Sequence, residues 1–390
     1  MSTTLDHLRA DHIGSLSRPA ALLALHKRLD AGDLSLAELG SAEDQAIRDA
    51  VVAQEAIGFP IVSDGEFRRR NFQDSFAASV TGYEASAGPG AYAGQIREGM
   101  DRQGRVASGL AIPGPAVLTR RATVERLSVT RNLPLDEYRF ASQLTQTAVN
   151  ATLIGPDRVA QRFDWQRSTG VYDGLDDFEA HVASLQHGMV AELADDGCPY
   201  VQIDAPGYTA YVDAPSLADM RARGEDTDAN LRRSIEADNA VIAGFDNVTF
   251  GIHLCRGNGR TIDPKTGKVV PQWHREGSYD EIAERLFTGL HHRRFLLEYD
   301  SERAGGFEPL RFIPKDKIVV LGLVTTKSLD IEPEDLLMRR IDEAAKFIPV
   351  GQLAISPQCG FASGVGLAIP PDVQWAKLQV LLRVAERVWG

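Results

Sequence analysis

The sequence predicts an α/β protein built as a (β/α)8 TIM barrel, and three observations support this class. Short apolar runs rich in β-branched residues alternate with longer stretches whose apolar residues recur every three or four positions, as repeated βα units require. The runs end in polar residues, which suits a barrel that carries its reactive side chains at the carboxyl ends of its strands. The 390 residues exceed the roughly 250 of a minimal barrel, and the excess can occupy loops.

Six of the eight expected strands are visible. They are residues 60–66 (PIVSDGE), 200–206 (YVQIDAP), 248–255 (VTFGIHLC), 294–300 (RFLLEYD), 317–327 (KIVVLGLVTTK) and 352–359 (QLAISPQC). Apolar residues three or four apart predict helices at 35–58, 175–197, 279–292 and 332–348. An open doubly wound sheet would show the same alternation, but the polar strand ends favour the barrel.

The chain is predicted to form one domain, residues 1–390, because no Gly/Ser-rich or Pro-rich linker divides it. Residues 82–105 and 256–278 are predicted loop insertions. The RGNGR stretch in the second lacks the spacing of a dinucleotide or P-loop fingerprint, so no nucleotide cofactor is predicted.

Composition points to a small-molecule substrate. Lys and Arg total 42 against 54 Asp and Glu, and the net charge of −12 disfavours binding to nucleic acid or to an anionic membrane. No signal-peptide pattern and no apolar run long enough to span a bilayer is found, so we expect a cytoplasmic protein. Three widely spaced cysteines do not make a disulfide framework, and a homo-oligomer is compatible with the sequence.

Four side chains at strand ends have the chemistry of a zinc site. His253 and Cys255 are two apart on one predicted strand, so both face the barrel interior. Glu298 and Cys359 end two further strands. Two sulfurs, one imidazole and one carboxylate suit Zn²⁺ better than Mg²⁺ or Ca²⁺, and ligands spread over about a hundred residues favour a catalytic site. Cys198 precedes a strand, so it is predicted to be a structural thiol at the opposite end of the barrel.

The sequence resembles the catalytic domain of cobalamin-independent methionine synthase and its shorter homologues, over nearly the whole chain. The motifs that carry the resemblance are, in order, ADHIGSLSRP, SDGEF (63–67), GPAVL (114–118), QIDAP (202–206), HLC, LEYDS and SPQCG. The resemblance implies a barrel with zinc on His253, Cys255, Glu298 and Cys359, in which an incoming thiol can displace the glutamate.

The same resemblance assigns a binding site for the amino acid part of a thiol substrate. Ile13, Ser15, Glu66 and Asp204 match positions that hold homocysteine in the family. Carboxylates at strand ends can pair with an ammonium group, and the backbone at Gly14 can approach a ligand closely. Each of these residues has a structural alternative, as a local cap or an ion pair.

Several positions depart from the methionine synthase pattern. A tryptophan that stacks on folate in the synthases is missing after GPAVL, where the chain offers Arg120 and Arg121. Ala205 replaces a second acidic residue, and Lys327 stands where the synthases have a histidine. These changes resemble the short branch that includes epoxyalkane:coenzyme M transferase. An anionic thiol or donor would meet basic residues such as Arg68, Arg69, Arg120 and Lys327.

The resulting hypothesis is a zinc-dependent transferase that moves a methyl or alkyl group to a small-molecule thiol. Asp204 and Glu66 would orient the thiol, and Lys327 or His12 would protonate the leaving group. Two alternatives remain open: opening of an epoxide by a thiol of the coenzyme M type, or the reverse lyase reaction; and a metal-free barrel, either a decarboxylase or a thiol-binding protein without turnover.

Overall fold

The computed structural model describes residues 5–84, 120–262, 269–272, 274–363 and 369–390. The strands within these ranges are β1 Ile61–Val62, β2 Val80–Tyr83, β3 Thr123–Val129, β4 Ala148–Ile154, β5 Tyr200–Asp204, β6 Thr249–Leu254, β7 Gly259–Ile262, β8 Val269–Gln272, β9 Arg294–Glu298, β10 Ile318–Val324 and β11 Leu353–Pro357. Seven of them form one parallel sheet in the order β1-β4-β5-β6-β9-β10-β11. The other four form two antiparallel pairs, β2 with β3 and β7 with β8.

The amino-terminal segment supplies the eighth position of the barrel. Ala10 makes a parallel bridge to Ile355 on β11. On the side of β1, the Leu16 N–H donates to the Gly65 carbonyl over 3.1 Å. This segment therefore lies between the first and last strands of the sheet, and the predicted α/β TIM barrel is confirmed.

Helices cover the outside of the barrel. They are α1 Ala20–Asp30, α2 Leu36–Ala56, α3 Asp74–Ala77, α4 Leu133–Ser142, α5 Pro156–Gln161, α6 Leu175–Asp195, α7 Ala214–Ala222, α8 Thr227–Ile242, α9 Ala283–Gly289, α10 Glu334–Ala344 and α11 Pro371–Trp389. The start of α2 shows how the sequence fixes a boundary: Ser35 and Glu38 form a reciprocal capping box that satisfies two backbone N–H groups.

The predicted strands and helices agree with the structure except at their ends. The segment predicted at 279–292 begins with a 3-10 turn, Tyr279–Glu281, and α9 covers only Ala283–Gly289. The sequence run 60–66 contributes a strand of two residues, because the chain turns at Gly65, where φ is 73°. The barrel strands that were not predicted are β4 and the Ala10 segment, and the antiparallel strands β2, β3, β7 and β8 were not predicted either.

The structure describes the second predicted insertion more fully than the first. Most of 82–105, and the GPAVL motif at 114–118, lie outside the described residues. The described part of 256–278 contains the antiparallel strands β7 and β8, where the sequence predicts a loop. Among the described residues, no helix combines the length and the apolar character that crossing a lipid bilayer requires.

Candidate active site

Three of the four predicted metal ligands lie together at the carboxyl-end mouth of the barrel. His253 is on β6, Cys255 follows the end of that strand, and Cys359 lies two residues beyond β11. One ligand atom from each falls within 4.8 Å of the others, and the two sulfurs are 3.9 Å apart. We call His253, Cys255 and Cys359 the thiol group.

The thiol group is buried, and its imidazole has no hydrogen-bond partner in the described part of the chain. All three side chains are buried, and neither ring nitrogen of His253 meets a partner among the described residues. Burying an unpaired polar group costs free energy, so such an imidazole calls for a ligand. Two sulfurs and an unpartnered imidazole nitrogen at this separation fit a thiophilic metal such as zinc.

Electrostatics within the thiol group favour a charged pair. The pKa of the Cys255 thiol is well below its usual range, because the Cys359 thiol donates a hydrogen bond to it and the imidazolium of His253 lies nearby. Burial opposes the charged form of His253, but the negative charge of Cys255 outweighs it and raises the pKa of His253 to about 9. The site thus stabilises a thiolate, the form of cysteine that binds metals.

Glu298, the fourth predicted ligand, has its carboxylate bonded to neighbours from the chain itself. One oxygen pairs with Arg303 and lies 3.4 Å from the Lys327 ammonium, and the other accepts the Arg256 backbone N–H over 2.6 Å. Although burial opposes ionisation, Lys327, Arg303 and Arg256 lower the pKa of Glu298 to about 2. The ligand atoms of the other three residues lie within 4.8 Å of one another, and Glu298 is not part of that set. The role of Glu298 as a ligand therefore stays a prediction.

Lys327 is tied to acidic groups. Its ammonium donates to Asp300 over 2.6 Å in addition to its contact with Glu298, and both partners are buried. The second oxygen of Asp300 has no hydrogen-bond partner among the described residues. Neither Asp300 nor Arg303 was selected from the sequence, because an acidic and a basic residue in a loop resemble any surface pair until the fold buries them.

Glu66 is held in an unusual backbone conformation. Its φ of 56° is the sole positive value among the described non-glycine residues, and such strain concentrates at functional sites. Thr152 donates to its Oε1 atom over 2.8 Å, and the Arg69 guanidinium lies 3.4 Å away. Gly14 packs against it so closely that an added Cβ would lie 3.2 Å from that oxygen and 2.8 Å from the Thr152 methyl group.

Asp204 lies beside the thiol group. It ends β5 and is the register partner of His253 on β6. Gln202 donates from one Nε2 atom both to Asp204 over 2.8 Å and to the Ile13 carbonyl over 2.7 Å, which links two predicted substrate-binding residues. Burial raises the pKa of Asp204 to about 7, opposed by His253 and reinforced by the charge of Glu66.

The remaining predicted substrate-binding residues are Ser15, His12 and Arg120. Ser15 lies against the loop that carries Cys359, since its carbonyl accepts the Phe361 N–H over 2.9 Å. Both ring nitrogens of His12 are taken by backbone, the Ile61 carbonyl and the Gly14 N–H, which leaves neither for a substrate. The Arg120 guanidinium lies 3.9 Å from the Asp219 carboxylate.

The basic run at 68–70 is paired with acidic side chains. Arg68 pairs with Asp44 over 2.7 Å and Arg70 with Asp30. Arg69 is buried and binds the Glu137 carboxylate. Cys198, predicted to be a structural thiol, is buried and donates to the Tyr200 carbonyl at the start of β5, the end opposite Asp204.

Comparison with known proteins gives relatives over almost the full length. No family model matches the chain. It is 31% identical over 388 residues to the uncharacterized protein YxjH of Bacillus subtilis (strain 168), an alignment that covers 98% of this chain and 94% of the relative. It is 24% identical over 359 residues to a methionine synthase of Pyrococcus abyssi, covering 89% and 84%.

Two solved structures share the fold. One is described as a putative vitamin-B12 independent methionine synthase from Listeria monocytogenes, with a TM-score of 0.72, 23% identity and 98% of each chain covered. The other is a B12-independent methionine synthase from Shewanella sp. W3-18-1 in complex with selenomethionine, with a TM-score of 0.69, 19% identity and coverage of 98% and 97%. The chain belongs to the cobalamin-independent methionine synthase catalytic-domain family, and its size fits the short, single-domain branch.

Proposed function

We propose that this chain is a zinc-dependent transferase that moves a methyl or alkyl group to the sulfur of a small thiol, with homocysteine as the preferred acceptor. The observation that carries the proposal is the thiol group, a buried set of two sulfurs and an unpartnered imidazole beside Asp204. The methionine synthases among the relatives support a methyl group as the transferred unit.

Zinc would be held by His253, Cys255 and Cys359. When bound there, it would lower the pKa of a substrate thiol, so that the acceptor sulfur is a nucleophilic thiolate at neutral pH. Glu298 is the candidate for a fourth position, and its carboxylate would first have to leave Arg303, Lys327 and the Arg256 N–H.

Asp204 and Glu66 would bind the ammonium group of an amino acid thiol. Both carboxylates are buried. The charge of Glu66 contributes to the raised pKa of Asp204, and the charge of Asp204 contributes to the raised pKa of His253. Asp204 is in register with His253, so an ammonium group bound to Asp204 would lie close to a substrate sulfur at the thiol group. In homocysteine the ammonium group and the sulfur are only a few bonds apart. Charge-assisted hydrogen bonds of this kind fix orientation as well as affinity.

Lys327 would act as a fixed cation. Its ammonium is held between Asp300 and Glu298, which suits electrostatic positioning of Glu298. In the transfer itself, the carbon–sulfur bond forms as the bond from carbon to the donor breaks, and the donor leaves with the electron pair.

The first experiment measures zinc by atomic spectrometry in the purified full-length protein, in Cys359→Ser and in Cys198→Ser. Cys198 is a matched control, since it is also a buried cysteine but lies outside the thiol group. We expect about one zinc per chain in the wild type and the control, and at least a tenfold loss in Cys359→Ser.

A screen of thiol consumption then identifies the reaction. Homocysteine and coenzyme M are each paired with methyl donors and with epoxypropane. Consumption of homocysteine with a methyl donor supports the proposal, and turnover restricted to coenzyme M with epoxypropane replaces it with epoxide chemistry. Full zinc and full activity in Cys359→Ser would overturn the assignment of the thiol group.

A further inference from the structure

A buried chain of hydrogen bonds joins helix α4 to Glu66, one of the predicted substrate-binding residues. Glu137 on α4 accepts from Arg69 through both carboxylate oxygens, over 3.0 Å at Oε1 and 2.5 Å at Oε2. The Nη1 atom of Arg69 donates to the Thr152 hydroxyl over 2.9 Å, and that hydroxyl donates to Oε1 of Glu66 over 2.8 Å. None of the four side chains is more than 4% exposed.

This chain of hydrogen bonds has a fixed direction. A guanidinium group can only donate, so the Thr152 oxygen accepts from Arg69 and its single proton is left for Glu66. The backbone of Glu66 is fixed as well, since its φ is 56° and its carbonyl accepts from Arg18 over 2.8 Å. The Glu66 carboxylate is therefore held as an acceptor in one orientation.

Two carboxylates lie within reach of the Arg69 guanidinium. Arg69 donates three hydrogen bonds to Glu137, and in the described part of the chain it donates none to Glu66. Its Nη1 atom nevertheless lies only 3.4 Å from Oε1 of Glu66. Glu137 thus provides the closer counter-ion for Arg69, and the charge of Glu66 remains available to another cation.

We propose that Glu137 is a positioning residue for the thiol substrate: it holds Arg69, and so leaves the Glu66 carboxylate available to the ammonium group of an amino acid thiol. This role rests on the proposed function, which assigns that ammonium to Asp204 and Glu66. Without the charge of Glu137, the guanidinium would pair with Glu66, and a substrate ammonium would have to compete with it. Glu137 would set the preference for ammonium-bearing thiols without contacting the ligand.

Calorimetric titration of the full-length protein with L-homocysteine and with 4-mercaptobutanoate tests this role, because the two thiols differ only in the ammonium group. We expect the wild type to bind homocysteine at least about tenfold more tightly than 4-mercaptobutanoate. In Glu137→Gln this preference should fall below about threefold, while the affinity for 4-mercaptobutanoate and the zinc content stay as in the wild type.

Glu179→Gln is the matched control for loss of a buried charge. Glu179 is also buried and also pairs with an arginine, Arg233, over 2.7 Å, but it lies on α6 and takes no part in the chain to Glu66. This variant should keep the wild-type preference for homocysteine. A loss of preference in both variants would assign the effect to the fold and would overturn the proposal.

Two Thr152 variants test the same role with the Arg69–Glu137 pair left in place. Thr152→Val removes the hydroxyl that accepts from Arg69 and donates to Glu66, so it should lower the preference for homocysteine. Thr152→Ser keeps the hydroxyl and should retain the preference. These variants decide the question if Glu137→Gln does not fold.

The outcomes separate this role from the proposed function. Equal binding of the two thiols by the wild type would refute ammonium binding at the mouth, and both proposals would fail together. If the wild type prefers homocysteine and folded Glu137→Gln or Thr152→Val keeps that preference, the role of Glu137 is overturned and the proposed function stands. Equal weakening of both thiols in these variants would also overturn it.

Discussion

Ionisable side chains are buried at both ends of the barrel interior, but those at the two ends differ in their hydrogen-bond partners. At the amino-terminal end, Asp11 accepts hydrogen bonds from Arg294 over 3.0 Å, from Tyr200 and from the His12 N–H. Arg294 also donates to the Leu5 and Leu8 carbonyls. At the mouth, both ring nitrogens of His253 and one oxygen of Asp300 have no partner among the described residues.

This difference distinguishes the Asp11–Arg294 pair from the thiol group more clearly than burial does. Asp11, Arg294 and His253 are all at most 2% exposed. Polar groups that stabilise a fold have their partners in the chain, whereas those that bind a ligand keep atoms unsatisfied until it arrives. The unpartnered atoms of the mouth therefore predict small stability effects and large effects on binding, and the amino-terminal end predicts the reverse.

The largest expected effect on stability is at the amino-terminal end. Arg294→Leu leaves the buried Asp11 carboxylate without its cation, so we expect the free energy of unfolding to fall by about 3–5 kcal/mol in urea denaturation. Arg383→Leu is the control, since Arg383 pairs with Glu334 at the surface and its loss should cost less than about 1 kcal/mol. Similar losses in the two variants would contradict the distinction.

The sequence predicts the thiol group better than its surroundings. His253 and Cys255 are two residues apart at the end of β6, so their side chains point to the same face. The carboxyl ends of β6 and β11 lie at the same mouth of the barrel, which brings Cys359 to the other two residues. Arg303 and Arg256 fix the Glu298 carboxylate through a loop side chain and a backbone N–H. No residue spacing in the sequence encodes those contacts.

The two missed barrel positions have a common physical cause. β4 carries Asn150 and Thr152, whose side chains bond to Gln202 and Glu66. Polar residues that face other polar residues inside a barrel interrupt the apolar run by which a buried strand is recognised. The Ala10 segment makes only one bridge, so its local sequence carries little strand signal.

The next largest effect concerns substrate binding at the mouth. If Asp204 holds the ammonium of an amino acid thiol, Asp204→Asn should lower kcat/KM for homocysteine about 10- to 100-fold. The same variant should change kcat/KM for 2-mercaptoethanol, which has no ammonium, by less than about threefold. Steady-state kinetics with both thiols checks this, and an equal loss for both would assign Asp204 a structural role.

Buried carboxylates between the barrel and its helices are intermediate, with one oxygen partnered and one not. Asp238 accepts from Tyr208 over 2.6 Å through one oxygen, and Glu179 accepts from Arg233 over 2.7 Å. The second oxygen of each has no partner among the described residues. Burial raises the pKa of Asp238 to about 8 and, with the charge of Asp157, that of Glu179 to about 8.

These raised pKa values set the direction of the pH dependence. The folded state keeps protons up to about pH 8 that the unfolded chain loses near pH 4, so their contribution is complete below pH 4 and declines as pH rises toward 8. Asp238→Asn should remove roughly 1 kcal/mol per pH unit from the slope of unfolding free energy between about pH 5.5 and 7.5. Urea denaturation at three pH values measures it, and an unchanged slope would refute the protonated state of Asp238.

The smallest expected effect is the sharpest test of the comparison, because it applies the leucine substitution at the other end of the barrel. In metal-free protein, His253→Leu removes the imidazolium beside the Cys255 thiolate, but the thiol can take up a proton and become neutral, so no unpaired charge is left buried. The free energy of unfolding should therefore fall by less than about 2 kcal/mol in the presence of a chelator, well below the loss in Arg294→Leu, while zinc binding is lost. A loss as large as that of Arg294→Leu would mean that His253 stabilises the fold through contacts of its own, and the unpartnered imidazole would no longer indicate a ligand.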